Sequence, residues 1–451
     1  MPAPPPSPQL DPAGTPSNRS LPRVIGVAAL TASAINTIVG SGIFGLPGLA
    51  AAMLGPAAVL AYLLCAVLVG LVGLCLAEVG SRVANAGGLY AYATAAFGPV
   101  MGGVAGTLVW TSNSVVAGAA VAALLVDTLT LAAPPLAGGL PRIAFLCAIY
   151  GVLAIVNITG ARAGARLSTS LSVVKLAPLL LLIAAGIPAV QAANLQWPAM
   201  PQPVAIGRTA VLLFFAFMGV EGGLNASGEV KAPARTVPRA IGVALSFVAV
   251  LYVALQITVQ GVLGDALPNN AAPLAAAAGV VFGPSGRAFL IAATALSIAG
   301  YLAADILCSP RTLFAMAERR QLPRILARVD PRFDSPAVAI CVYAVSCAAL
   351  ACTGSFQQLV IAATSGTLML YLICCVAVLP LRARDVATHG TPFVAPGGTL
   401  VPLAASAIIV WLLSTLTWVE LASALAVAIA AAVVYAVREM FAERAALTAE
   451  I

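Results

Sequence analysis

Apolar runs long enough to cross a lipid bilayer recur along almost the whole chain. Crossing about 30 Å of hydrocarbon takes an α-helix of about 20 residues. Hydrophobic residues make up 61% of the 451 residues and charged residues only 8%, which leaves too little polar surface to coat a water-soluble fold. The sequence therefore predicts an all-α integral membrane protein with twelve transmembrane helices, beginning near Pro22, Pro56, Gly98, Pro141, Ser168, Gly207, Pro238, Arg287, Pro336, Gln357, Thr399 and Leu421.

The distribution of Lys and Arg predicts how the chain is oriented. Cytoplasmic loops of membrane proteins retain positive charge. With the N-terminus inside, the alternating loops place 18 Lys and Arg residues on the cytoplasmic side and three, Arg142, Arg208 and Arg287, outside. We therefore expect a multi-pass protein of the cell (inner) membrane with both termini cytoplasmic. The net charge of +7 follows from this topology and requires no nucleic-acid partner. Residues 1–20, rich in Pro and Ser, predict a disordered cytoplasmic tail.

Glycines interrupt the first span, in 36-NTIVGSGIFGLPG-48. Unpaired backbone is tolerated at membrane depth only where it is buried in protein or lines a cavity. Unwinding from Gly40 to Ile43 would expose N–H groups that attract an anion and carbonyls that attract a cation. An amino acid carries both charges. Close packing of helices at small residues is the alternative explanation of these glycines.

A second interruption favours the binding site over simple packing. The stretch 214-FFAFMGVEGGLNASGE-229 again places glycines in an apolar helix, together with Glu221. Paired interruptions in two halves of a chain are typical of inverted-repeat transporters with a site at the membrane midplane. We predict a transporter domain over residues 21–445, with repeat one at about 22–190, repeat two at about 205–383, and helices 11 and 12 at about 399–443.

Five motifs together carry a family resemblance: GSGIF in the first span, FxAFxGVE in the sixth, 77-AEVGSRVANAGGLYAY-92, 229-EVKAPARTVPRA-240 and 309-SPRTLFAMAERRQLP-323. In them the chain resembles the amino acid/polyamine/organocation (APC) superfamily, including its basic amino acid/polyamine antiporters and related bacterial amino acid permeases. The resemblance implies a leucine-transporter-type fold. In that fold a 5+5 inverted repeat with discontinuous helices 1 and 6 is followed by helices 11 and 12, and amino acids or their amines are carried by alternating access.

The resemblance also implies a substrate site built on the two interruptions. The backbone of residues 41–43 would bind the carboxylate, and carbonyls near Ile38 and in residues 215–219 would bind the ammonium. The side chains of Phe215 and Phe217 would wall and gate the pocket. The residues implied in this way are Ile38, Ser41, Gly42, Ile43, Phe215, Phe217 and Gly219.

Two further positions bear on the choice of substrate. Trp110 and Asn113 keep the W-x-x-N spacing of arginine/agmatine antiporters, in which the Asn contacts substrate. Counting back from Pro323, the position of a substrate-stacking Trp in those antiporters falls on Asp305. This departure weakens a specific arginine/agmatine assignment, although an acid there would attract a cationic side chain. Whether Asp305 lines the pocket, and which amino acid or amine is carried, stay open.

Two ionisable residues inside the predicted spans are candidates for proton coupling. Lys175 lies about eight residues into the fifth span, and snorkelling to the interface is the alternative role for it. The chain has twenty Arg and only two Lys, so a buried Lys suggests that a compact ammonium is required. In family members that resemble this sequence, such a lysine stands where sodium binds in sodium-coupled relatives. Glu221 stands where cation-transporting relatives have a proton-linked Glu, or it is a carboxylate satisfied at a helix terminus.

The leading functional hypothesis is a secondary active transporter of an amino acid, sodium-independent and working by proton symport or exchange. The alternatives are an antiporter of a basic amino acid for its amine and a non-transporting amino acid sensor on the same fold. A membrane enzyme would need several His or carboxylates at one site, and the chain has one His, His389. The nine cysteines form no CxxC pair and lie in predicted spans, so we expect packing roles for them and no metal or cofactor.

Overall fold

The computed structural model describes residues 26–83, 88–159, 175–220, 230, 233–268, 270–318, 321–387 and 391–449. In these residues the regular elements are all helices. The predicted tail at residues 1–20, Glu221 and His389 lie outside the described residues. Arg162 and Arg166, in the predicted cytoplasmic loop between the fourth and fifth spans, also lie outside the described residues.

The first part of the chain forms eight helices in the residues that the structure describes. A π-helical stretch, Val109–Val116, joins two of them into one continuous rod. The helices are α1 (Val27–Ile38), α2 (Gly42–Leu54), α3 (Ala58–Arg82), α4 (Gly88–Phe97), α5 (Pro99–Leu108), α6 (Ala117–Leu129), α7 (Gly139–Thr159) and α8 (Leu176–Gly186).

The second part of the chain adds seven described helices. They are α9 (Pro203–Phe214), α10 (Pro233–Leu263), α11 (Pro273–Glu318), α12 (Ala337–Thr353), α13 (Phe356–Ala383), α14 (Leu400–Ser414) and α15 (Trp418–Ala449). Helix α11 consists of two helical parts that meet at Gly283, whose φ of 74° and ψ of −168° are not helical. The predicted start of the eighth span near Arg287 agrees with the start of the second part.

Helix length and composition identify a membrane protein. Seven described segments are long and apolar enough to cross a bilayer: Gly42–Arg82, Pro99–Leu129, Gly139–Thr159, Ala234–Ala266, Pro273–Glu318, Phe356–Ala383 and Trp418–Met440. Five shorter apolar helices of 10–17 residues accompany them. The all-helical membrane class is therefore confirmed, while twelve crossings and the inverted repeat stay predictions.

Packing brings the two interrupted spans together, since α9 packs against α2. Helix α10 packs along α3 and also against α1, and α13 contacts α3, α6 and the π-helical stretch. Gly73 permits the close approach of α3 to α10, because a Cβ atom there would lie 2.6 Å from Leu245 Cδ1. Small residues commonly allow such approaches between helices in membranes.

A buried ion cluster fixes the chain beyond α13 to the end of α3. The carboxylate of Glu78, which has no exposed side-chain surface, accepts two hydrogen bonds of 2.6 Å from Arg382 and one of 3.2 Å from Arg82. It also accepts one of 2.9 Å from the backbone N–H of Ala395. Charge-assisted, bidentate pairs of this kind are the strong ones, so the segment after α13 is held firmly at this end of the bundle.

Candidate functional site

The first predicted interruption is present in the structure. Helix α1 ends at Ile38, residues 39–41 are not helical, and α2 begins at Gly42. Glycine is a poor helix former because its backbone is so free, and here Gly40 turns back so that its N–H donates to the carbonyl of Ile38 at 2.7 Å. The first N–H groups of a helix have no acceptor within it, so the start of α2 carries donors directed along its axis.

The second interruption follows α9. A 3-10 turn over Phe215–Phe217 ends the helical winding, and Met218 is extended. Gly219 then takes a φ of 104°, a left-handed conformation that favours glycine. A Cβ atom at Gly219 would lie 3.0 Å from the carbonyl oxygen of Thr37. The two interruptions are therefore in direct contact.

The side chain of Tyr252 bridges the two interruptions. Its hydroxyl donates to the carbonyl of Ala216 at 3.0 Å and lies 3.2 Å from the carbonyl of Ile38. The residue is fully buried on α10, and its ring meets Phe217 edge-on at 5.0 Å. Sequence reasoning missed this residue. The one available signal was a hydroxyl at the middle of an apolar span, since a buried Tyr hydroxyl usually finds a hydrogen-bond partner.

Both interruptions open on one cavity of about 660 Å³. Residues from the first are Asn36, Thr37, Ile38, Gly40, Ser41 and Gly42, and those from the second are Phe215, Ala216, Met218 and Gly219. Asn113, Lys175 and Asp305 also lie on its wall. The structure thus brings together Ile38, Ser41, Gly42, Asn113, Lys175, Phe215, Gly219 and Asp305 from the sequence prediction.

Two predicted residues lie behind the cavity wall. Ile43 and Phe217 have no exposed surface and do not line the cavity. Phe217 packs against Tyr252, so it supports the bridging residue from behind. Ile43 faces the protein core because it lies in the first turn of α2, one position beyond the cavity-facing Gly42. Glu221 belongs to the undescribed part of the sixth span.

Aromatic packing supports Phe215 on the cavity wall. The Phe215 ring meets Phe356 at the start of α13 edge-on at 6.4 Å. A Cβ atom at Gly45 would lie 3.2 Å from the Phe356 ring and 2.7 Å from Leu124 Cδ1, so this layer is tightly packed. The cavity wall also includes Tyr90, Arg311 and Gln321.

Three polar groups face the cavity near the interruptions. Lys175, immediately before α8, donates a hydrogen bond to the carbonyl of Asn36 and is only 8% exposed. The Ser41 hydroxyl has no hydrogen-bond partner among the described residues. The Asp305 carboxylate accepts hydrogen bonds from the hydroxyls of Ser309 and Tyr343, and it forms no ion pair within the described part of the chain.

The backbone opposite α11 is shaped around this carboxylate. The absence of a side chain at Gly118 on α6 provides space for the Asp305–Tyr343 hydrogen bond. A Cβ atom there would lie 2.7 Å from the Tyr343 hydroxyl and 3.0 Å from Asp305 Oδ2. Asn113 lies on the π-helical stretch. π-Helical turns are rare and frequently occur at functional sites.

The chemistry that this site offers is recognition by backbone dipoles and a few polar side chains. Within the described ranges no cluster of three or more His, Cys, Asp or Glu could hold a metal ion. The cysteines are not in disulfides.

Comparison with known proteins decides the family. The model of the amino acid permease family matches residues 25–437. The chain belongs to this family. The expected resemblance to the APC superfamily is confirmed, and the permease is a membrane transport protein of a family that does not comprise enzymes.

Three relatives from Bacillus subtilis (strain 168) show the range of named substrates around this permease. A methylthioribose transporter is 28% identical over 89% of this chain and 91% of its own length. The serine/threonine exchanger SteT is 30% identical over 72% of this chain and 75% of its own. The branched-chain amino acid permease BcaP is 26% identical over 91% of both chains. The relatives support amino acid transport in general, and their substrates differ.

Proposed function

We propose that this permease is a secondary active transporter that moves an amino acid across the cell (inner) membrane by alternating access. The observation that carries the proposal is the opening of both helix interruptions on one cavity. Donors at the start of α2 suit a carboxylate, and carbonyls at the end of α1 and after α9 suit an ammonium. The cavity volume of about 660 Å³ is typical of small-molecule sites.

The ion pairs support the proposed orientation, with both termini in the cytoplasm. Each pair within the described ranges joins residues that the sequence places on the same side of the membrane. Glu78 with Arg82 and Arg382 lies on the cytoplasmic side, and Asp127 with Arg142 and Arg208 with Glu420 lie outside. The cavity reaches Arg311 and Gln321 on the cytoplasmic side, so we assign this conformation as inward-open. The proposed repeats are residues 22–190 and 205–383.

Lys175 supports sodium-independent coupling to protons or exchange. Its ammonium connects the start of α8 to the end of α1 through the Asn36 carbonyl, next to the first interruption. A proton leaving this group would remove the charge that strengthens the hydrogen bond and so loosen α1. Glu221 stays a second candidate for coupling.

The test of this proposal is uptake of radiolabelled amino acids into proteoliposomes holding the full chain. We expect uptake that persists when sodium is replaced by choline and depends on pH or on an amino acid inside the vesicle. Lys175→Ala should abolish uptake or its pH dependence, while Arg328→Ala, at an exposed position that does not line the cavity, should not. Wild-type pH dependence in Lys175→Ala would contradict the coupling role. Substrate binding without flux would identify a sensor instead.

A second candidate, exchange of a basic amino acid for its amine, is favoured by Asp305. Its carboxylate lies on the cavity wall without a basic partner among the described residues. A hydrogen bond to a charged group is worth about 1.5–3 kcal/mol, which corresponds to roughly a 10- to 150-fold change in affinity.

Competition by neutral, basic and acidic amino acids and by amines distinguishes the two candidates. For a basic substrate, Asp305→Asn should weaken cationic competitors by that factor and leave neutral ones nearly unchanged. Asp265→Asn, at an exposed position after α10, is the matched control. Equal losses for neutral and cationic compounds in Asp305→Asn would contradict a charge-reading role.

A further inference from the structure

The loop between α11 and α12 repeats one pair of side chains three times. In 324-RILARVDPRF-333 an arginine is followed directly by a large apolar residue at every fourth position. All six residues are exposed, and the apolar ones, Ile325, Val329 and Phe333, are 53%, 50% and 44% exposed. The arginines are Arg324, Arg328 and Arg332. Positive charge and apolar surface therefore alternate along this loop.

The positive charge of the loop is not neutralised within the described fold. None of its three arginines forms an ion pair in the part of the chain that the structure describes. Residues 319–336 carry five arginines against two aspartates, a net charge of +3, and the arginines at 319 and 320 lie outside the described residues. Of the two acids, Asp330 accepts the backbone N–H of Arg332 at 2.8 Å. The loop is thus a basic surface that suits an anionic partner.

The shape of the loop is fixed by its own hydrogen bonds. The 3-10 turn Arg324–Ala327 packs against α11 and α12. Further on, the N–H of Asp330 donates to the carbonyl of Ser335 at 2.8 Å, and the N–H of Asp334 donates to the carbonyl of Asp330 at 3.0 Å. The exposure of Phe333 is therefore imposed by a hydrogen-bonded turn just before α12.

Helix α12 places this loop at the membrane surface. In the predicted twelve-helix topology α12 crosses the bilayer, yet it has only 17 residues. Its length of about 26 Å is shorter than the hydrocarbon core of about 30 Å, so it begins at the edge of the hydrocarbon, four residues after Phe333. Cys341 is exposed, and Val345, one turn later on the same face, is 68% exposed. This face of α12 thus lies at the perimeter of the bundle, where lipid surrounds a membrane protein.

The chemistry of the loop fits an anionic lipid surface. Guanidinium groups bind phosphate through paired, charge-assisted hydrogen bonds. The cytoplasmic leaflet carries anionic lipids, and each basic residue near it strengthens binding by roughly 5-fold. Apolar side chains among the basic ones are buried at the boundary between headgroups and acyl chains. A soluble phosphate would use the arginines alone, whereas a lipid surface uses the arginines and the apolar residues together.

We propose that residues 324–333 bind the anionic phospholipids of the cytoplasmic leaflet. The arginines contact headgroup phosphates, and Val329 and Phe333 insert between the headgroups. The choice of leaflet rests on the orientation proposed above, whereas the contact itself needs only a loop at the membrane surface. This surface is separate from the amino acid cavity and takes no part in the proposed transport cycle.

The test places the photoreactive residue p-benzoylphenylalanine at the position of Phe333 in the full chain. The protein is held in nanodiscs of phosphatidylcholine, with or without phosphatidylglycerol, and intact mass spectrometry counts and identifies lipid adducts after irradiation. Phosphatidylglycerol should raise the adduct yield at least about 5-fold, and the added mass should be that of the anionic lipid. Because a nanodisc offers this lipid on both faces, the result depends neither on orientation nor on transport.

Substitutions in the same reporter protein separate charge from shape. Replacing Arg324, Arg328 and Arg332 together by Gln should abolish the gain from phosphatidylglycerol, and replacing them by Lys should keep most of it. Arg287→Gln, at an exposed position outside the loop, should behave as the unsubstituted reporter does. Val329→Ser should lower the adduct yield in both lipids, whereas Val204→Ser, at a 58% exposed valine of α9, should not.

Four results would overturn the proposal. An absence of adducts would show that the loop does not reach the bilayer, and equal yields with and without phosphatidylglycerol would show contact without recognition of charge. An undiminished gain in the glutamine variant would remove the arginines from the contact. Loss of the gain on addition of glycerol 1-phosphate would show a site for a free phosphate in place of a lipid surface.

Discussion

Replacing Gly42 with alanine tests the geometry of the proposed site most directly. Gly42 begins α2 and faces the second interruption across the cavity. A Cβ atom at this position would lie 2.9 Å from Phe215 Cδ1 and 3.3 Å from Leu46 Cδ1, whereas carbon atoms prefer separations of about 3.5–4.0 Å. The Cβ–Cδ1 separation is thus about 0.6 Å too short. Because both flanking backbone segments are buried, the Phe215 ring must move to relieve the contact.

The magnitude follows from the cost of overpacking. One added methyl group in a packed site costs about 1–3 kcal/mol. The added methyl group strains the contact between the start of α2 and the Phe215 ring. The substrate carboxylate is proposed to bind at this start of α2. Since 1.4 kcal/mol is a factor of ten, Gly42→Ala should weaken substrate binding by roughly 5- to 150-fold.

A scintillation proximity assay with a labelled amino acid on purified protein measures this effect. Gly70→Ala is the matched control, because Gly70 lies on α3 with no other heavy atom within 4 Å of its Cβ position, and it should bind as the wild type does. Adding Phe215→Leu to Gly42→Ala should recover part of the affinity by relieving the contact. Unchanged binding in Gly42→Ala, or an equal loss in Gly70→Ala, would refute the assigned pocket.

Two further substitutions test contacts that join distant parts of the chain. Tyr252→Phe removes the donor to Ala216 at a cost of about 1–2 kcal/mol, so affinity in the same assay should fall roughly 5- to 30-fold; an unchanged affinity would show that the bridge plays no part. Glu78→Gln leaves the guanidinium of Arg382 without its carboxylate, a loss of about 3–5 kcal/mol for buried pairs. Its melting temperature, followed by fluorescence in detergent, should drop by several degrees, and a value equal to that of a Glu439→Gln control would count against the cluster.

The features that the sequence predicts well depend on local chemistry. The interruption between α1 and α2 falls at the predicted glycines, because Gly40 and Gly42 weaken helical winding whatever lies around them. The same holds for the second interruption, where Gly219 takes a left-handed conformation. The family resemblance then assigned residues at these breaks to the substrate site, and of these Ile43 and Phe217 lie behind the cavity wall.

The features that the sequence misses are contacts between residues far apart along the chain. Tyr252 lies 214 residues from Ile38, and Arg382 lies 304 residues from Glu78. No periodicity in an apolar span marks which side chain will meet a break in another helix. The hydroxyl partners of Asp305 were unpredictable for the same reason, since one of them, Tyr343, comes from α12.

Helix α11 shows that a local signal also places a helix boundary. Gly283 and Pro284 are signals for a break in a helix, and the predicted eighth span begins just after them, near Arg287. In the structure Gly283 leaves the helical conformation, with a φ of 74° and a ψ of −168°. The second part of α11 therefore begins where the local sequence indicates.

The π-helical stretch between α5 and α6 has a consequence for movement of the third span. Its eight residues form turns closed by i→i+5 hydrogen bonds, which are wider than the α-helical turns on either side. Rewinding them to the ordinary α-helical pitch would rotate α5 against α6 about the common helix axis, while the far ends of both helices kept their contacts with neighbouring helices. The Asn113 side chain would then rotate about the helix axis, toward the substrate or away from it. Such a movement would not require a hinge at either surface of the membrane.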